Sequence, residues 1–241
     1  KLSTFFKPAK LNFLKNIIKF NHAAKQNIVG ISFKEWLANK NLKKEFINDY
    51  VLPMAAAIWS TPMDKIGEYP VESMLAFLKN HGLLKLINRP QWHFVKNGSA
   101  SYIDAIIKTS NINNVFTGES PIINKSNQQW RLKTSNHELD YDHVVIATHI
   151  NDVPQLLANY KDFSFMSDFS YNTNKTILHT DESFMPVSKK LWSSWNSFKY
   201  DDYEYVTYWM NNLQNIKSKT NLFVTIGNFP QIQTQKIIKV M

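Results

Sequence analysis

The hydrophobic pattern of this chain changes period once, near residue 90, and that change limits the folds open to it. Before it, apolar residues recur at helical spacing; after it, they alternate or run in short apolar blocks between turn residues. In "KLNFLKNIIKFNHAAK" the residues Leu11, Leu14, Ile17 and Ile18 form one stripe, with lysines on the other face, which predicts an amphipathic helix packed through that stripe. Ser32 followed by Glu35 has the form of a capping box opening a second helix. Pro53 and Pro62 bracket a dense small-residue segment, and "PVESMLAFLKNHGLL" reads as a helix from about Pro70 to Gly82.

Beyond residue 90, "WHFV" reads as extended and "SASYIDAIIKTS" as helical. "QQWRLKTSNHELDYD" reads as a hairpin turning at Ser135 and Asn136, and "HVVIATH" as a strand apolar on both faces. "NDVPQLLANY" predicts a short helix, and "NKTILHTD", "YEYVTYWM" and "NLFVTIGN" predict three more strands. The tail "PQIQTQKIIKVM" offers no clear closing element. The expected class is α+β or α/β, a mixed β-sheet with helices, in three parts: 1–93 helical, 94–150 a distinct segment, 151–241 strand-rich.

Several chemistries are excluded by what is missing. With no cysteine, thiolate catalysis, disulfides and Cys-ligated metals drop out, which also fits a cytoplasmic setting. The seven histidines show no helical HxxxH or HxxE spacing, so no metal site is expected. With six glycines in all, there is no Walker loop, no G-x-S-x-G elbow and no G-x-G-x-x-G. The net charge of +9 comes almost wholly from lysine. Only Arg89 and Arg131 carry the guanidinium fork that reads phosphates and bases, so nucleic acid is not an expected partner. Weak attraction to a membrane surface is compatible with the charge.

Seven segments, in order from residue 46 to residue 228, carry a resemblance. They are "FINDYVLPMAAAIWSTP", "FLKNHGLLKLINRPQWHFVKNGSASYIDAI", "VVIATH", "NKTILHTDESFMP", "LWSSWN", "VTYWMNNLQ" and "LFVTIGN". Together they resemble the bacterial FAD-dependent amine-oxidase-like proteins, the flavin-containing amine oxidoreductases. The resemblance implies an amine-oxidase-type substrate domain (1–93 and 151–241) and a segment (94–150) belonging to an FAD-binding, Rossmann-like domain. It further implies that the glycine fingerprint lies before Lys1 and the C-terminal flavin-contacting segment after Met241, so that this chain is the middle of such an enzyme. The implied chemistry is hydride transfer from an amine, a polyene or a lipid-like substrate to FAD. A binding module that keeps the groove without catalysis is the alternative.

The resemblance assigns site residues. Lys175, nine residues before Phe184, matches the lysine that holds a water near flavin N5, a catalytic role. For cofactor binding it points to Gly98 and Ser99, where the family has Gly-Gly and this chain has Asn97-Gly98. It also points to Ile122 after Pro121, as a backbone partner of the adenine, and to Ala147, Thr148 and His149 at the end of "VVIATH". The step at Gly98 admits either a close cofactor approach or a plain strand-to-helix turn. Trp59, His179, Trp195, Tyr208 and Trp209 are the candidates for substrate walls, with core packing as the alternative for each.

Overall fold

The computed structural model describes residues 8–26, 28–126, 128–157 and 173–241, together with Met166, Asp168, Phe169 and Tyr171. By its contacts the chain separates into two units, one formed by residues 1–98 and 174–241, the other by 99–173.

The first unit begins with helices. Helix α1 spans Pro8–Ala23 and α2 spans Phe33–Ala38. The Ser32 hydroxyl accepts from Glu35 N–H while the Glu35 carboxylate accepts from Ser32 N–H, so the capping box forms as the sequence predicts. Helix α3 (Lys44–Phe46) continues through a π turn at Ile47–Val51 into α4 (Leu52–Trp59). Helices α5 (Met63–Ile66) and α6 (Val71–Asn80) follow. Their shared core is aromatic: Phe20 meets Trp36 edge-on at 5.7 Å, Phe33 stacks on Trp36 at 5.8 Å, and Phe46, Val51, Ile66 and Met74 fill the rest.

Of its predicted stripe, helix α1 packs only Ile17 against the core, where it is half-buried. Its buried face is Asn16, Phe20 and Ala24, whereas Leu11, Leu14 and Ile18 are 43%, 46% and 51% exposed. The helix instead packs Phe20 edge-on to Trp36 and Phe46 in the aromatic core.

The second unit holds α7 (Ala100–Thr109), strands β1 (Ile122–Ser126), β2 (Gln129–Lys133) and β3 (Glu138–Tyr141), and α8 (Val153–Leu156). The strands form an antiparallel sheet in the order β1-β2-β3, and Lys133 opposite Glu138 places the β2–β3 turn at Ser135 and Asn136. Arg131 bridges to Asp140 at 2.8 Å. The predicted buried strand at 143–149 is absent. Residues 143–147 have no ladder, and Val145 is 89% exposed. Among the described residues no strand lies beside them, and an apolar block becomes a strand only when a neighbour takes its backbone hydrogen bonds. "WHFV", in the first unit, is likewise unpaired, and Trp92 and Phe94 are exposed.

The chain re-enters the first unit with β4 (Thr176–His179), β5 (Trp195–Tyr200), β6 (Tyr203–Trp209), the short helix α9 (Met210–Leu213), β7 (Phe223–Asn228) and β8 (Ile237–Val240). The five strands form an antiparallel sheet in the order β5-β6-β7-β4-β8. The tail thus closes the sheet as an edge strand, which the sequence did not suggest. With helices and two sheets, the fold is α+β as expected.

Candidate functional site

Strand alternation and register divide the larger sheet into two faces. Ile177 lies opposite Thr225, His179 opposite Phe223, Tyr205 opposite Gly227 and Phe198, and Thr207 opposite Asn196. These residues, with Trp209, share the inner face, which Phe184, Phe229 and Ile232 cover. The other face carries Trp195, Ser197, Glu204, Val206, Tyr208, Ile226 and Asn228.

On that second face lies a cleft of about 220 Å³. Its floor is Ser197, Glu204, Val206, Ile226 and Asn228; its rim is the end of α4 and the following loop, from Ala56 and Ser60 to Met63. Two bonds fix rim to floor: Met63 N–H donates to Glu204 Oε1 at 2.9 Å, and Asn174 Nδ2 donates to the Ser60 carbonyl at 2.9 Å. Ser60 closes α4 in a left-handed conformation, φ 49°, turning the chain down toward the sheet. At the far wall Gly227 has φ 113°, and a Cβ there would stand 2.7 Å from the Glu204 carbonyl oxygen, so only glycine allows β6 and β7 to approach this closely.

Two predicted substrate residues stand on this face. Trp195 meets the Tyr208 ring edge-on at 5.6 Å. Burial raises the Tyr208 phenol above its ordinary range, and a hydrogen bond with Ser60 pulls it partly back, so the ring presents a neutral hydroxyl beside the rim. Trp59, adjacent to Ser60, packs on Phe77 at 4.6 Å and joins the helical core. Asp202 and Glu204 make the cleft acidic.

The other candidates lie elsewhere. His179 is fully buried on the inner face. Its Nδ1 accepts from Asp181 N–H at 3.0 Å, so in the neutral ring Nε2 carries the proton and donates to Thr225 Oγ1 at 2.8 Å. Thr225 Oγ1 in turn stands 2.8 Å from Thr207 Oγ1. Desolvation holds the His179 pKa down to about 4; the Asp181 carboxylate opposes the shift and Lys236 adds to it. Trp209 sits on the same inner face, edge-on to Trp192 at 5.2 Å, and donates to Asn221 Oδ1. Lys175, just before β4, is exposed, with Nζ 5.1 Å from the centre of the Phe229 ring, and its carbonyl accepts from Gly227 N–H. The structure therefore puts Trp195 and Tyr208 on the cleft's face of the sheet but outside its lining, Tyr208 reaching the rim through Ser60, with Trp59 next to that rim, and sets His179, Trp209 and Lys175 on the opposite face.

The candidate cofactor residues are exposed. Gly98 closes a turn on the Val95 carbonyl, follows Asn97 at φ 66°, and has no atom within 4 Å of where a Cβ would stand. Ser99 precedes α7 without a side-chain cap. Ile122 opens β1 on its exposed side, while Ile123 is buried. Ala147 and Thr148 lie in the unpaired segment, and the His149 ring stacks on Tyr171 at 4.7 Å. Among the described residues no group of three or more His, Cys, Asp or Glu side chains is placed to hold a metal.

Ser60, Asn174, Ser197 and Glu204 were missed by sequence reasoning. A period-two reading of "YEYVTYW" puts Glu204, Val206 and Tyr208 on one side and would have found Glu204. Ser60 and Asn174 meet across more than a hundred residues and leave no local signal.

No family model and no curated protein matches the sequence. The fold is similar to the crystal structure of a protein provisionally assigned as a protoporphyrinogen oxidase from Exiguobacterium sp. 255-15, with a TM-score of 0.55 and 14% identity over 92% of this chain. The chain spans about half of that protein, 51% of its length. The two share a fold, an α+β architecture.

Proposed function

We propose that this chain is the substrate-side portion of an FAD-dependent oxidoreductase of the amine-oxidase type. One observation carries the reading: a fold shared over 92% of the chain with a provisionally assigned protoporphyrinogen oxidase. The seven ordered sequence segments support it independently.

The second-face cleft is the substrate wall in this proposal. Next to it on the same sheet face, Trp195 and Tyr208 offer flat apolar surface, and the Tyr208 hydroxyl, bonded to rim residue Ser60, a donor. Asp202 and Glu204 favour a cationic group, which selects an amine over a polyene or an acyl lipid. Bound FAD supplies the hydride acceptor. The residues at 97–99 suit its anionic part: clear space beside the Gly98 Cα and a helix start at Ser99 without a side-chain cap. Ile122 offers strand backbone at the start of β1, and 147–149 remain proposed neighbours of the cofactor. Lys175 keeps its proposed role beside the flavin.

The placement of Lys175 and the cleft on opposite sheet faces favours the second reading, a non-catalytic module that retains the groove. The discriminating experiment is to express the whole reading frame encoding this chain, add FAD, remove the excess and record the visible spectrum. Retained flavin bands support the enzyme; a colourless protein rejects it in favour of the binding module.

A further inference from the structure

Helix α1 turns an unusual face to solvent. Its 16 residues include no aspartate or glutamate, and its last turn carries His22. Leu11, Leu14 and Ile18, at i, i+3 and i+7, form an exposed stripe directly opposite the buried Asn16, Phe20 and Ala24. Lys15 and Lys19 run along one edge of that stripe, and Lys10 lies on the other.

Next to the lysine edge is a second cleft, about 210 Å³, formed by α1 and the loop before α3. Lys15, Lys19 and Lys43 line it, together with Asn12 and Asn41. Among the described residues no aspartate or glutamate does. Asn16 fixes the frame: its Nδ2 donates to the Asn12 carbonyl at 2.7 Å, and its Oδ1 accepts from Lys43 N–H at 3.0 Å, tying loop to helix. Among the described residues none of the three lysines forms an ion pair with a carboxylate. Three lysines bordering one concavity favour an anion there.

We propose that α1 docks on an anionic phospholipid surface. The Leu11–Leu14–Ile18 stripe lies at the boundary between headgroups and acyl chains, and lipid phosphates occupy the lysine-lined cleft. Charge complementarity selects the occupant, since the chain carries a net +9 and this helix no acid. The adjacent stripe selects a lipid over a soluble anion, because free phosphate would leave Leu14 and Ile18 in water, whereas a phospholipid satisfies both features with one molecule. The proposal is independent of the flavoenzyme reading.

The test is co-sedimentation of the full chain with vesicles of phosphatidylcholine alone or mixed with phosphatidylglycerol. Binding to the mixed vesicles only, weakening as salt is raised, is expected. The double variant Lys15→Gln/Lys19→Gln should lower the partition coefficient about 25-fold, at about fivefold per lysine. Leu14→Ser should lower it about tenfold. Both changes lie on exposed positions, and an unchanged melting curve confirms that each variant is folded. Equal binding to neutral and mixed vesicles, no binding to either, wild-type partitioning of the double variant, or full displacement by excess inorganic phosphate would each overturn the proposal.

Discussion

His179 Nε2 stands 2.8 Å from Thr225 Oγ1 across the β4–β7 ladder, and both side chains are fully buried. The bond makes the ring a structural part of the sheet in its neutral form. A second ring proton would face Asp181 N–H, already directed at Nδ1, on a side chain fully shielded from solvent.

Stability should therefore fall as the medium is acidified. The pKa of His179 is about 4 in the fold against an ordinary 6.5, so between these values the unfolded chain binds the extra proton. The contribution is complete above about pH 6.5 and is lost on descending toward pH 4, at no more than about 1.4 kcal/mol per pH unit. Urea midpoints measured across that window should drop for the wild type. In His179→Gln the drop should be shallower; an equal drop in both would remove His179 as its cause.

Asp181 and Lys236 hold the tail. Burial alone would push the Asp181 carboxyl up, but bonds from Lys236 at 3.0 Å and from Ser183 outweigh it and keep the group below its usual range. Lys236 stands immediately before β8, so Lys236→Met should cost on the order of 1–3 kcal/mol and loosen the edge strand first. Hydrogen exchange should quicken at 237–240 and leave β6 unchanged. Equal protection in both proteins would show that the ion pair does not hold the strand.

Gly227→Ala should be among the costlier single changes. Its φ of 113° and a Cβ placed 2.7 Å from backbone oxygen leave no cheap relaxation, so a loss of more than about 1 kcal/mol is expected in denaturant unfolding. An unchanged midpoint would mean that β6 and β7 are not this close.

The two faces of the sheet make separable predictions for catalysis. If the cleft takes an amine substrate, Tyr208→Phe, which removes the hydroxyl bonded to rim residue Ser60, should raise its KM with a smaller change in kcat. Lys175→Met should slow flavin reduction or reoxidation if the lysine serves the flavin. An unchanged rate in anaerobic and aerobic stopped-flow experiments would remove Lys175 from the mechanism.

Much of the fold is legible locally. The Ser32–Glu35 box, the turn at Ser135 and Asn136, and strands β4, β6 and β7 follow from short-range chemistry that the sequence states directly. What escaped depends on distant partners. The α1 stripe, Ile17 apart, faces outward while Phe20 packs on Trp36 and Phe46, and "VVIATH" is no strand because no neighbour pairs with it. Strand β8 exists because β4, more than fifty residues earlier, offers an open edge. The candidate site divided for the same reason. A period of two places residues on alternate faces of the sheet, so the aromatic candidates separate by parity. By parity, Trp195 and Tyr208 belong together and His179 and Trp209 to the other side.

The central claim is that this chain works with FAD. The most direct measurement is to purify the protein from its own cells without added cofactor, denature it by heat, and identify what is released by mass spectrometry. The account predicts FAD in equimolar ratio to the chain. A protein that releases no flavin, and takes none up when FAD is supplied, would contradict it.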